Sequence, residues 1–244
     1  VANGKLLRSN IFDDIWIQPA AGDAGGAVGC ALLTWYQYLD NNRITDDKTD
    51  SMNGSYLGPV FNNATIESFL NKNKYSYKYL SDEELPQIIS DLIAEEKVIG
   101  WFQGRMEFGP RALGSRSIIA DPRSTKMQKQ LNLKVKFRES FRPFAPSILF
   151  DHVSDWFDIY SDSPYMLLVA NVKESKKREM TDEEQKLFGI DKLNVIRSSI
   201  PAVTHVDYSA RVQTVHKETN PDYHALIARF LEITGCPVLV NTSF

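Results

Sequence analysis

Between Gly104 and Arg142 ten lysines and arginines stand against three acids, Glu107, Asp121 and Glu139, and glycines and prolines interrupt the same stretch. No other feature limits the fold as sharply. Each proline removes an amide donor and fixes φ, so a continuous helix is excluded and many of these cations must sit on turns and short strands. The chain as a whole carries a formal net charge of -3. A cationic concentration set against the global sign points to a local anionic partner. Phosphate fits best, because the guanidinium fork matches its oxygens and a lysine adds a compact point charge.

Spacing sharpens the reading. In "KFRESFRPFAPS", Lys136 and Arg138 share one face if the segment is extended, and Arg142 follows. Pro143 and Pro146 argue against helix at its end. One such cation alone is as readily part of a basic surface or an ion-pair network; the group together favours an anion site. Arg105 and Glu107 read as ion-pair partners steadying a turn. Phe137, Phe141 and Phe144 interleave with the bases as in a single-strand groove, but the prolines and the acidic net charge argue against nucleic acid as the partner.

The chain has 244 residues, 43% hydrophobic and 24% charged, the profile of a globular protein of one large or two smaller domains. No apolar run reaches the roughly 20 residues of a membrane helix, and a cytoplasmic location is expected. Cys30 and Cys236 fit no metal spacing and read as buried free thiols. The start without methionine and the stop within an apolar strand pattern suggest a piece of a longer protein.

Strands are expected at residues 15–18, 75–79, 98–102, 147–150, 166–172, 210–214 and 238–241. Helices are expected at 26–39, 65–71, 125–131, 182–188 and 223–234, with a further one after Ser81, whose spacing from Glu84 is that of a capping box. The interleaving gives an α/β (α+β) class. The polar stretch from Asn41 to Asn63 reads as a surface linker. In "PAAGDAGGAVG" a glycine-rich turn leads into a helix N-terminus, an arrangement that faces phosphate or metal, with Asp23 at its tip.

The motifs "PAAGDAGGAVG", "GRMEFGPRALGSRSIIADPR", "KFRESFRPFAPS", "HVDYSARVQTV" and "PVLVNTSF" closely resemble those of O-carbamoyltransferases of the nodulation and antibiotic-tailoring type, in the same order along nearly the whole chain. The resemblance implies an actin-like (ASKHA) domain whose C-terminal piece is residues 1–55, a linker at 56–79, and a YrdC-like domain, a mixed twisted sheet with flanking helices, from 80 to 244. It implies that carbamoyl phosphate and ATP with Mg2+ form carbamoyl-adenylate and pyrophosphate, and that the carbamoyl group passes to a hydroxyl-bearing small-molecule acceptor. Lys136 and Arg138 would be the KxR pair, and Ser243 would begin an SxN element. Arg111, Arg116, Arg142, Arg211 and Asn241 are then assigned to donor or nucleotide phosphates, with Lys136, Arg138 and Arg142 stabilising charge in the reaction. Gly25 and Gly26 would allow a nucleotide phosphate to approach. Asp23 would complete a site for Fe2+ or another divalent metal with two histidines from outside the chain.

Two related readings share the adenylate chemistry, a threonylcarbamoyl-adenylate synthase and a hydrogenase-maturation relative; a non-catalytic RNA-binding module does not. His205 and Asp207 could share a face as a general base or form a plain hydrogen-bonded pair. Tyr208 stands where the family usually has glycine. The acceptor's identity is left open, as is oligomeric state, a homodimer included.

Overall fold

The computed structural model describes residues 2–13, 15–45 and 50–244. A mixed six-stranded sheet runs in the order β1-β2-β6-β3-β5-β4, built from β1 (Ile99–Phe102), β2 (Arg116–Ala120), β3 (Ala145–Leu149), β4 (Leu168–Asn171), β5 (Ser209–Val215) and β6 (Val238–Thr242). Only β3 and β5 run parallel; the other neighbours are antiparallel. Every residue of β2 and β3 is buried, so neither strand has a solvent-facing side that would impose an alternating pattern. The helices are α1 (Ala2–Arg8), α2 (Asp23–Leu33), α3 (Asn63–Lys72), α4 (Glu84–Ala94), α5 (Met127–Lys134), the short α6 (Val153–Trp156), α7 (Asp182–Lys186) and α8 (Gly189–Leu193), and α9 (Pro221–Thr234). No described helix is long and apolar enough to cross a membrane.

Helix α9 shows how the sequence sets these elements. The Asn220 side chain accepts the Tyr223 amide at 3.2 Å, Pro221 occupies the first turn, and Gly235 ends the helix at a φ of 71°. Tyr223, Leu226, Ile227 and Phe230 form its buried face, each worth roughly 1.5–3 kcal/mol on burial. Helix α4 lies against it, and Ser90 Oγ donates to the Leu226 carbonyl at 3.2 Å. The expected capping box is present: the Ser81 amide donates to the Glu84 carboxylate at 3.1 Å, and the Glu84 amide to Ser81 Oγ at 3.3 Å.

The amino-terminal piece is docked on the sheet. At the free edge of β4, Arg8 Nη1 donates to the Val169 carbonyl at 2.9 Å and Asn3 Nδ2 to that of Leu167 at 3.3 Å, so α1 covers main-chain groups an edge strand would otherwise expose. Gly4 permits the approach; a Cβ there would lie 2.4 Å from the Val169 carbonyl oxygen.

Several expectations are corrected. Residues 15–18 and 75–79 form no strand; Ile17 packs on the main core without a strand partner, and the tyrosines fold back on α3, Tyr77 donating to Glu67 at 2.8 Å and Tyr75 lying 6.2 Å from the Phe69 ring. Strand β2 was not anticipated. The stretch from Asn41 to Asn63 is partly internal rather than superficial: Met52, Gly54 and Ser55 are buried, and Met52 joins Leu113, Ala145, Tyr165 and Met166 in a second small core. Cys236 is buried, which pushes its thiol up to about 12, but Cys30 is exposed on α2.

Candidate anion-binding site

At one end of the sheet, strands β5 and β6 and the loops after β1 and α5 border an open cavity of about 180 Å³ lined by Arg111, Lys136, Arg138, Arg211, Asn241 and Ser243, together with Thr242 and apolar groups. Four cations meet there, and no lining residue is acidic. The cavity opens to solvent, so a ligand could seat an anionic group among these cations and extend beyond them.

Each cation is placed by a different element. Arg211 pairs in register with Val169 across β5 and β4. Burial, and then the neighbouring Arg111, hold its guanidinium below the ordinary arginine range, and its Nε is buried with no hydrogen-bond partner. An arginine stays charged under such pressure, so this group lacks an acceptor. Asn241 faces the same side of the sheet, where its Nδ2 contacts the Ala112 carbonyl at 3.0 Å, Ser147 Oγ at 3.0 Å and Gln213 Oε1 at 2.8 Å, while its Oδ1 is buried and unpartnered.

Lys136 and Arg138 reach the cavity by a geometry other than the extended strand expected. They follow the last turn of α5, where the Lys136 amide donates to the Leu131 carbonyl at 2.8 Å, and Phe137 between them adopts a φ of 50°. Lys136 Nζ donates to the Ser243 carbonyl and lies 3.4 Å from Ser243 Oγ, so the KxR and Ser243 elements do meet. Arg138 Nε donates to Asn132 Oδ1 at 2.7 Å, and its guanidinium lies 4.9 Å from the Phe144 ring centroid. The fully buried Asn132 also donates to the carbonyls of Ser140 and Arg142, at 3.1 and 2.8 Å. It thereby fixes the loop carrying both cations, and neither charge nor periodicity had marked it.

Two assigned arginines lie elsewhere. Arg142 is over half exposed and pairs with Glu139 at 3.1 Å. Arg116 stacks 3.5 Å from the Phe102 centroid and donates to main-chain carbonyls, among them Gln103 at 2.8 Å and Gly104 at 3.2 Å. It closes the turn instead of facing the cavity.

The Arg111 loop is held by an acid read as something else. Glu107 Oε1 accepts the amides of Leu113, Ser115 and Arg116 at 2.7, 2.8 and 3.1 Å, and Arg105 donates instead to the Gly58 carbonyl at 3.1 Å. The Leu113 carbonyl accepts Tyr56 Oη at 2.7 Å and Gln213 Nε2 at 2.8 Å. The lone carboxylate in "GRMEFGPRALGS" was the available signal, since a chain of turns presents unpaired amides that need an acceptor. Glu107→Gln replaces charge-assisted bonds with neutral ones and is expected to cost about 1–2 kcal/mol in urea unfolding.

Burial, and then Arg138, place the Lys136 ammonium below the ordinary lysine range. Deprotonation removes one of the converging charges, so anion affinity should fall as pH rises, beginning below the usual lysine value of about 10.4. Titrating sulfate, whose own charge is constant on the alkaline side, checks this; Lys136→Arg should flatten the decline.

Asp23, Gly25 and Gly26 lie in the first turn of α2. A Cβ on Gly25 would be 2.5 Å from the Ala20 carbonyl oxygen, which explains that glycine without a ligand, whereas nothing crowds Gly26. Ala20 touches Gly109, where a Cβ would lie 2.4 Å from the Ala20 Cβ, so this turn abuts the loop of Arg111. No metal-binding group surrounds Asp23: among the described residues no three or more His, Cys, Asp or Glu side chains are grouped to hold a metal. His205 Nδ1 lies 3.1 Å from Asp207 Oδ1, and the same oxygen accepts Ser209 Oγ at 2.6 Å on an exposed turn. Tyr208 beside them takes a φ of 62°, a conformation in which glycine is the unstrained occupant.

Four cations thus converge on one cavity at the end of a mixed sheet whose edge strand is covered by the amino-terminal helix. The chain belongs to the carbamoyltransferase family: residues 90–244 match the model described as Carbamoyltransferase C-terminus, and residues 1–32 that described as Carbamoyltransferase N-terminus. It is 40% identical to Nodulation protein NolO of Bradyrhizobium diazoefficiens, an alignment covering 99% of this chain and 40% of that protein. Nodulation protein U of Rhizobium fredii is 31% identical over 99% of this chain and 35% of its own length. An uncharacterized protein of Synechocystis sp. is 58% identical over 100% of this chain and 40% of its own. The chain thus spans about 40% of the length of these relatives.

Proposed function

We propose that the cationic cavity binds carbamoyl phosphate beside the phosphates of ATP, and that the protein of which this sequence is part forms carbamoyl-adenylate and carries the carbamoyl group to a hydroxyl of a small molecule. The observation that carries this reading is the convergence of four cations on one carboxylate-free cavity, with a buried Arg211 Nε lacking an acceptor. Atom balance sets the steps. With one water, carbamoyl phosphate yields carbamate and inorganic phosphate; a carbamate oxygen then bonds to the α-phosphorus of ATP as the bond to pyrophosphate breaks. Both departing groups are anions, and arginines fixed before the reaction stabilise that charge at little reorganisation cost. Lys136 and the arginines bind and neutralise; none is assigned a proton transfer.

Mg2+ would arrive with ATP and be held by nucleotide oxygens, because the cavity lining offers no carboxylate. For Fe2+ or another divalent metal in the amino-terminal domain, Asp23 is a single candidate ligand and the described residues supply no set around it, so no step is routed through that metal. Transfer to the acceptor belongs to the whole protein.

An ATP-pyrophosphate exchange assay on the chain tests the reading. Label should enter ATP when carbamoyl phosphate is supplied, and the rate should fall at least tenfold in Lys136→Ala. Exchange driven only by bicarbonate plus threonine, or none with either, would overturn it.

A further inference from the structure

A second and larger cavity, about 740 Å³, opens between the docked amino-terminal piece and the sheet. Its size lies in the range of small-molecule sites, and its chemistry inverts that of the first. Among the described residues, Asp50, Asp162 and Glu218 line it, with His216 and no lysine or arginine. Leu7, Ile17 and Leu167 supply apolar wall, and Trp16 stands edge-on to Tyr165 with ring centroids 6.5 Å apart.

The titratable groups are only partly satisfied among themselves. Asp162 Oδ1 accepts His216 Nε2 at 2.8 Å and also Thr214 Oγ1. Burial works against that carboxylate, yet the bonds from His216 and Thr214 outweigh it and keep it ionised. Asp50 accepts Tyr165 Oη and the Met52 amide. Both sets of partners but His216 are neutral, so the described lining carries three carboxylates against one histidine, beside the rings of Trp16 and Tyr165. Aromatic faces and carboxylates at the edge of an apolar chamber are the combination that holds an organic ammonium ion, through cation-π attraction and charge-assisted hydrogen bonds.

We propose that this cavity is a binding site for an amphipathic organic cation, a primary or substituted ammonium on an apolar body. The site lies one residue layer from the anion cavity: Met166 lines the smaller chamber, while Tyr165 and Leu167 on either side of it line the larger. It does not depend on the carbamoyl chemistry and stands if that reading fails.

Three probes of one shape and different charge test it: 3-phenylpropylamine, 3-phenylpropanol and 3-phenylpropanoate, each titrated into the whole chain by calorimetry. The amine should bind at least tenfold more tightly than the alcohol, and the carboxylate should not bind measurably. Trp16 is 65% exposed, so Trp16→Ala leaves the core intact; it and Glu218→Gln should each weaken the amine at least threefold. Lys136→Ala should leave amine affinity unchanged. Equal affinity for the three probes, no binding of the amine, amine affinity indifferent to both Trp16→Ala and Glu218→Gln, or amine affinity that falls in Lys136→Ala would overturn the assignment.

Discussion

Replacing Arg211 with methionine is expected to weaken pyrophosphate binding about 100-fold, the worth of a charge-assisted hydrogen-bonding group at roughly 1.5–3 kcal/mol, while leaving the fold as stable or more so. The two effects share a cause. In the free protein the guanidinium is desolvated, repelled by Arg111, and without an acceptor for its Nε; an apolar side chain of similar length removes those costs along with the binding. Stability given up for function in this way is recovered when the group is deleted, and a gain of about 1 kcal/mol would raise Tm by roughly 2–4 °C in a chain of this size. Calorimetry and thermal unfolding read the two quantities separately. A variant that loses stability and keeps its affinity would show Arg211 to be a structural strut.

Gly114→Ala carries the largest expected stability loss. Gly114 has a φ of 102°, and a Cβ there would lie 2.2 Å from Cδ1 of Tyr223, whose ring is fully buried. Neither side can yield cheaply. The Gly114 carbonyl accepts Trp101 Nε1 at 3.0 Å and Gln103 Nε2 at 3.1 Å, so moving the loop breaks bonds, and Tyr223 belongs to the face that packs α9. Strain and overpacking together should cost roughly 3 kcal/mol or more, read as a lowered urea midpoint. A change below about 1 kcal/mol, within the ordinary range of surface substitutions, would contradict the placement of this loop.

The contrast between these two sites bears on what a sequence reveals. Helices α4 and α9 were legible because apolar period, cap and stop residues agree with each other. The run "RSIIA" of β2 is too short for periodicity to distinguish from a turn-flanked core segment, and its arginine is spent on main-chain carbonyls. The stretches at 15–18 and 75–79 carry strand composition but take no strand conformation, because pairing is a tertiary event that composition does not report.

The site divides the same way. Charge counting marked Arg111, Lys136 and Arg138, and the family resemblance added Arg211; the fold brings these four to one cavity. Counting could not tell direction, so Arg116 and Arg142, equally basic, were grouped with them although one closes a turn and the other faces water. The groups that aim the site, Glu107, Asn132 and Gln213, act through hydrogen bonds to backbone up to 100 positions away in the chain. Only coordinates bring such partners together.

The most direct test is calorimetric titration of carbamoyl phosphate into the chain and into two single variants, Lys136→Ala and Arg142→Ala. A converging cavity predicts one site, affinity at least tenfold weaker without the Lys136 ammonium, and affinity within about twofold of the parent without the outward-facing Arg142 guanidinium. Equal losses in both variants would mean a diffuse basic surface, and no loss in Lys136→Ala would mean that the donor binds elsewhere.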